Sequence, residues 1–560
     1  MKEKYIEIIE KSFSAYTNER IREYINEVNE KGISEHGFAR LCVNMGFLVA
    51  VGKRPDLKNI FIEVMDICCD KIPKIVVGKP YTWVGNDFAI RELCCSLMLL
   101  EETKAVDNSL IKKWKSQLKT FVPKTGYDMV VTEDRYYNNW ALFAAVSEYM
   151  RGVYCEIDTL DFVENQLPSQ LNNLDCNGMY QDDPPFNNHM VYDLVPRYLF
   201  AFLLAAGYNG KYKNDIENAL DKCADYTLKM QSVTGEVAFG GRSNQFLNNE
   251  PMLISYCEME AVRFAKKGDL QKAGEFKAAA ILATDATLRY LNLDPISHIK
   301  NRYDISTCIG CESYGYFNKY MITVASNVYM AYMFCDDSIK PTTAVTKKGG
   351  YVITTSECFH KTFLNAGGYQ LEFDTNADFH YDANGLGRVH KENCPSAICL
   401  SVPFTNEAGY VLEKENKTAM SICPFANDGE KTLLGAENYA KHTLLNSGAT
   451  KDKAFAEFCV GLSNKIRVSQ KYAVSKNGVD ISLSGYENAG FMVPVFDFDG
   501  ANNTAIETNE NSITVSYCGS ICRYSFEGDY SADYELYYNR NGRYRVYKIN
   551  SKNLHIEISK

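Results

Sequence analysis

From residue 1 to about 335 the apolar positions recur three and four apart, in stretches of helical length separated by short polar loops. This predicts a helical half. Six stretches are apolar almost all the way round: Phe38–Val51, Ala89–Leu100, Trp140–Met150, Val191–Ala206, Pro251–Ala265 and Tyr320–Phe334. Helices of that kind are buried on every side. Amphipathic stretches such as Asn214–Met230 and Leu270–Leu291 lie between them, so inner and outer helices alternate every 50 residues or so, as in an array of helical hairpins. Near residue 340 the period changes to two, with β-branched and aromatic residues between Gly, Asn and Asp turns, for example Gly350–Ser356, Lys465–Val474, Val479–Ser484 and Tyr544–Ile549. The expected architecture is an α+β multidomain chain, with an N-terminal incomplete (α/α)6 toroid over residues 1–337 and a C-terminal antiparallel β-sandwich over 338–560. The boundary falls at Cys335–Thr343. Hairpins that close into a toroid gather the loops entering the inner helices at one mouth.

With 560 residues and a formal net charge of −10, the chain has room for large cores and no basic face for nucleic acid. Met1–Glu10 lacks the apolar core of a signal peptide, and no apolar run approaches the roughly 18 residues of a membrane span. These features lead to the expectation of a cytoplasmic protein with neither a membrane nor a nucleic-acid partner; they leave its oligomeric state open. The 19 cysteines are scattered through apolar helical runs, as buried free thiols are, and Cys308-Ile-Gly-Cys311 has no second pair to complete a metal site.

Polar residues concentrate in a few loops next to apolar helices. The densest is Asp175-Cys-Asn-Gly-Met-Tyr-Gln-Asp-Asp-Pro-Pro-Phe-Asn-Asn-His-Met-Val-Tyr192. Tyr136–Trp140, Phe239–Gln245 and Glu312–Asn318 are similar, and in the β half so is Asp378–His390. Amides and a histidine can grip a carboxylate, and a tyrosine can carry a proton.

The order Asn138-Asn-Trp140 opening a helix with Met150-Arg-Gly152, then Asn177-Gly-Met-Tyr180 with Tyr192 twelve residues on, then Gly240-Gly-Arg-Ser243, resembles hyaluronate and chondroitin lyases. Asn187-Asn-His-Met-Val-Tyr-Asp193 is similar to the Asn-Asn-His-Gly-x-Tyr-Asp motif of oligoalginate lyases of the heparinase II/III-like group. The chain departs from these patterns at Asp183, where hyaluronate lyases carry a histidine, at Met190 in place of glycine, and at Phe246 in place of a tyrosine.

The resemblance implies β-elimination at a uronic acid, leaving a 4,5-unsaturated uronate, with no cofactor required and an acidic oligosaccharide as partner. It implies Asn139 and His189 as donors to the carboxylate, Tyr192 as acid, Arg242 as the cation that helps Tyr192 ionise, and His380 reaching across from the β half. The base stays open among His189, Asp183, His380 and Tyr192. Asn138, Trp140, Asn188, Asp183, Gln245, Tyr314, Tyr316, Tyr381 and Arg388 are candidates for substrate contact. A structural divalent metal in the sandwich is an alternative use of His380, with His390 and His442. Rival readings are a hydrolase using Asp182 or Asp183 with Asp134, and a carbohydrate-binding protein without activity.

Overall fold

The computed structural model describes residues 1–77, 85–130, 138–182, 189–415, 418–429 and 431–560. The expected inner stretches form six helices: α1 (Gly37–Ala50), α2 (Asn86–Thr103), α3 (Asn139–Cys155), α4 (Met190–Ala205), α5 (Asn249–Lys266) and α6 (Phe317–Phe334). Each packs on the next and α6 returns to α1, so the inner layer closes on itself. Gly37 through Val49 of α1 are all buried, as an inner helix requires. At Gly46 a side chain would meet Phe61 Cε2 and Ser96 Oγ, each at 2.8 Å, so glycine permits the close approach. Amphipathic helices such as Lys213–Met230 and Leu270–Leu291 pack outside the ring.

The last helix ends at Phe334 and the first strand begins at Tyr351. All strand pairs among the described residues are antiparallel, in sheets of four, eight and five strands. The four-stranded sheet runs β1 (Tyr351–Thr354), β2 (Lys361–Ala366), β3 (Tyr369–Asp374) and β4 (Gly385–Lys391), in sequence order. Its β2 and β3 are buried throughout, because one face meets the eight-stranded sheet and the other meets the toroid. Phe373 packs edge-on to Tyr472 at 4.4 Å on the first side. On the second, Phe359 and Phe363 join Met179, Met190, Met230 and Ala238 in one apolar cluster.

Polar ties reinforce this seam. Gln370 Nε2 donates to the carbonyls of Lys229 and Gln231, both at 2.9 Å. Arg388 donates to Val237 O at 2.6 Å, and Phe239 N donates to Glu372 Oε2 at 3.1 Å. The sheet thus grips the segment that leads into the loop at 240–245. All 19 cysteines are free thiols; Cys311 Sγ rests 3.2 Å from His298 Nε2. No helix among the described residues is long and apolar enough to cross a membrane.

Candidate active site

At the mouth of the ring, Asn138 caps α3 by accepting from Trp140 N at 3.0 Å. That cap leaves Asn139 to turn inward, where its N and Nδ2 donate to Asp182 Oδ1 at 3.0 and 3.1 Å. Asp182 closes a loop that is fixed from both ends. Asp175 Oδ1 accepts from Asn177 N and Met179 N at 2.8 Å each, and Asp193 Oδ1 accepts from Tyr180 N at 2.8 Å. Asp193 is paired with Arg197 one turn along α4, so the residue beside Tyr192 is locked in place.

The loop Gly240-Gly-Arg-Ser-Asn-Gln245 is bent against its residue types. Gly240, Gly241, Ser243 and Gln245 all have positive φ, at 142°, 80°, 59° and 69°. For Ser and Gln that conformation costs about 1 kcal/mol or more each, a strain characteristic of functional sites. A side chain at Gly241 would overlap the His189 ring. Glycine therefore lets the backbone reach the imidazole, and Arg242 N donates to His189 Nδ1 at 3.2 Å. An accepting Nδ1 places the ring hydrogen on Nε2. Burial, and next the Arg242 charge, hold His189 down to about 4, so it is neutral at pH 7.

Arg242 lies with its guanidinium 4.5 Å from the centre of the Tyr192 ring and 3.9 Å from Asp182 Oδ2. The Tyr192 hydroxyl is 3.0 Å from Ser243 Oγ, which is 2.7 Å from the Tyr314 hydroxyl. Burial pushes Tyr314 well above the ordinary tyrosine range, so Tyr314 stays protonated. Ser243 N donates to Glu312 Oε1 at 2.6 Å, and Arg540 from the β half holds both oxygens of Glu312 at 2.7 and 3.1 Å. These groups border a cavity of about 650 Å³, lined among others by Asn138, Asn139, Trp140, Asp182, Tyr192 and Arg242. Arg40 and Lys319 also line it.

The structure thus brings Asn138, Asn139, Trp140, Tyr192, Arg242 and Tyr314 to one cavity. His189 stands at its seam, 6.1 Å from Tyr192 ring to ring, and lines an adjoining crevice of about 410 Å³ with His380. Tyr381 meets His189 edge-on at 5.5 Å. His380 differs from its expected role at the Tyr192 cavity: its side chain is 62% exposed and paired with Asp378 at 3.1 Å. Arg388, expected to contact substrate, lines neither space: its guanidinium is buried against Val237 O, Ser401 O and Glu372. Gln245 is buried within its loop, and Tyr316 is exposed at the start of α6. Asp134, Asp183 and Asn188 lie outside the described residues.

Ser243, Glu312 and Arg540 were not singled out by sequence. Ser243 had a signal, a serine directly after Gly-Gly-Arg; Arg540 had none, lying 228 residues from Glu312.

No protein-family model and no curated protein matches the chain. Among solved structures it is similar to a heparinase III at 10% identity and a TM-score of 0.50, over 93% of this chain and 78% of that one. It also matches the chondroitin AC lyase of Streptomyces coelicolor A3, solved with chondroitin sulphate, at 11% identity and 0.46, over 100% and 79%. A glycosyl hydrolase family 88 protein from Bacteroides vulgatus matches at 12% and 0.35, over 57% and 100%. The last two likenesses are too distant to build on. The first agrees with what the helices and sheets show: the chain shares the fold of that heparinase III, a helical toroid followed by antiparallel β-sheets.

Proposed function

We propose that the chain is a lyase acting on an acidic, uronate-containing oligosaccharide, which it cleaves by β-elimination. The observation that carries this reading is the guanidinium of Arg242 over the Tyr192 ring, with the Tyr192 hydroxyl tied through Ser243 to Tyr314. A proton beside a carboxylate becomes removable only when fixed donors hold the charge that develops there. Asn139 Nδ2 and the Nε2 hydrogen of His189 are those donors. A neutral His189 suits this task, since its Nδ1 is already accepting from Arg242 N. Tyr192 then takes the C5 proton as tyrosinate, stabilised by Arg242, and returns a proton to the glycosidic oxygen leaving C4. The bond broken is C4–O and the bond gained is the C4–C5 double bond, so no water enters the products.

The hydrolase reading finds less support. Asp182 accepts from two Asn139 donors and lies beside Arg242, which suits a fixed anion more than a proton donor. The product mass decides between the two. Elimination yields fragments whose masses sum to that of the substrate; fragments that sum to substrate plus one water would overturn the lyase reading.

A further inference from the structure

The crevice beside His189 contains an acidic cluster that the proposed reaction does not use. Glu372 and Asp374 on β3 and Asp382 in the β3–β4 connection are all buried. They converge on one ammonium: Lys361 Nζ, at the start of β2, lies 2.6 Å from Asp374 Oδ2, 3.0 Å from Asp382 Oδ2 and 3.7 Å from Glu372 Oε1. The remaining oxygens have their own partners. His360 Nδ1 bonds the second oxygen of Asp374, Ala383 N donates to Asp382 Oδ1 at 2.8 Å, and Phe239 N to Glu372 Oε2. Lys361 and Asp374 face each other in the β2–β3 ladder, so the strand register itself delivers the ammonium to the carboxylates.

Carboxylates converging on one point are donors a divalent cation takes; His360 stands outside that point, on the other oxygen of Asp374. Here a lysine fills the point, and among the described residues no group of three or more His, Cys, Asp or Glu is arranged to hold a metal. The other histidines considered for a metal have separate partners. His390 lies between Ser232 and Ser401 at 2.6 and 3.1 Å, His442 meets Gly435 O at 2.7 Å, and His380 pairs with Asp378. Among the described residues of the β half, this donor set therefore does not fit a divalent metal while Lys361 is in place.

We propose that Lys361 is a built-in cation, standing where a divalent metal would otherwise bind, and that it positions the loop carrying Arg242. Burying three carboxylates without counter-charge is prohibitive; Arg388, 3.6 Å from Glu372, supplies part of it, and Lys361 supplies the ammonium that all three share. The connection to the loop is direct. A side-chain carbon on Gly240 would lie 2.8 Å from Lys361 Nζ, and the Phe239 ring lies 5.9 Å from it. Glu372 holds both this cluster and the Phe239 backbone, two residues before Gly241. Lys361 does not line the Tyr192 cavity, so it is a positioning residue.

The inference does not depend on the reaction, and its test does not require the substrate. Elemental analysis of the full chain should find no stoichiometric divalent metal, and a chelator should leave Tm unchanged. Lys361→Ala should lower Tm by several degrees, and MnCl2 or ZnCl2, added alone, should restore much of the loss while leaving the unsubstituted protein unmoved. One equivalent of tightly held metal in the unsubstituted protein, or a Tm that falls on chelation, would overturn the proposal. So would a Lys361→Ala protein as stable as the original and indifferent to both metals. Should Lys361→Ala fail to fold, the metal content and chelator response of the unsubstituted chain decide the matter alone.

Discussion

His189 and His380 both line the crevice between the two halves of the molecule, yet their surroundings differ in every respect that governs chemistry. His189 is 4% exposed, sits at the start of a buried helix, and has its ring nitrogen assigned by a backbone N–H and its neighbouring glycine required by contact. His380 is largely exposed, with Asp378 at 3.1 Å and Glu407 at 3.8 Å from its ring nitrogens. The toroid mouth packs its histidine in place, while at the rim contributed by the β half the backbone is hydrogen-bonded but the His380 side chain stays in solvent. The residue type is the same in the two cases; packing makes one a buried, neutral imidazole and leaves the other exposed.

Substitutions can break this comparison. After Tyr192 itself, Arg242→Ala should cost the most, about 100- to 1000-fold in kcat, because it removes charge stabilisation aimed at Tyr192; Arg242→Lys should recover only part, since a point charge does not stack on the ring as a guanidinium does. His189→Ala should lose about 100-fold, chiefly in kcat. Equal effects at His189 and His380 would erase the distinction drawn between them.

Acid should also separate buried from exposed histidines. Burial holds His189 and His298 down to about 4 and His390 to about 3, below the ordinary value near 6.5. Unfolding lets each bind a proton that the folded protein refuses, so their contribution to stability is full above about pH 6.5 and is lost as pH falls toward 4. Denaturant midpoints at pH 7.5 and pH 5 check this: the midpoint should drop at pH 5, and His390→Gln should flatten the change. An unchanged midpoint would contradict it. The smallest effect is expected at His380, where alanine should change turnover less than about threefold, as for other exposed ion-paired groups.

The helical half was legible because its inner helices are apolar all round, and burial on every side leaves that mark whatever the partners are. Strand period two revealed the β half equally well, although β2 and β3 carry Lys361, Glu372 and Asp374 inside and so conceal how deeply they are buried. The candidate site was legible where local sequence fixes geometry. Tyr192, three residues into α4, and the Gly-Gly-Arg-Ser turn are of that kind. At the start of α3 the sequence marked Asn139 as a donor and Asn138 as a substrate contact; the structure gives the cap to Asn138 and the inward position to Asn139. Glu312, Arg540 and Lys361 act through partners distant in sequence or across a strand ladder, and no local spacing announces such pairs. Arg388 showed the converse: a dense polar segment looked like a binding loop, but β4 turns its guanidinium into the seam between the halves.

The most direct test of the central claim is the ultraviolet absorbance of a conjugated 4,5-unsaturated uronate. Glycosaminoglycan, alginate, pectic and rhamnose–glucuronate oligosaccharides would be incubated with the protein and, side by side, with Tyr192→Phe. At least one substrate should give rising absorbance with the unsubstituted protein, and Tyr192→Phe should slow it by about 1000-fold while retaining the unsubstituted protein's Tm. Cleavage without any absorbance change, or elimination at full rate by Tyr192→Phe, would contradict the account.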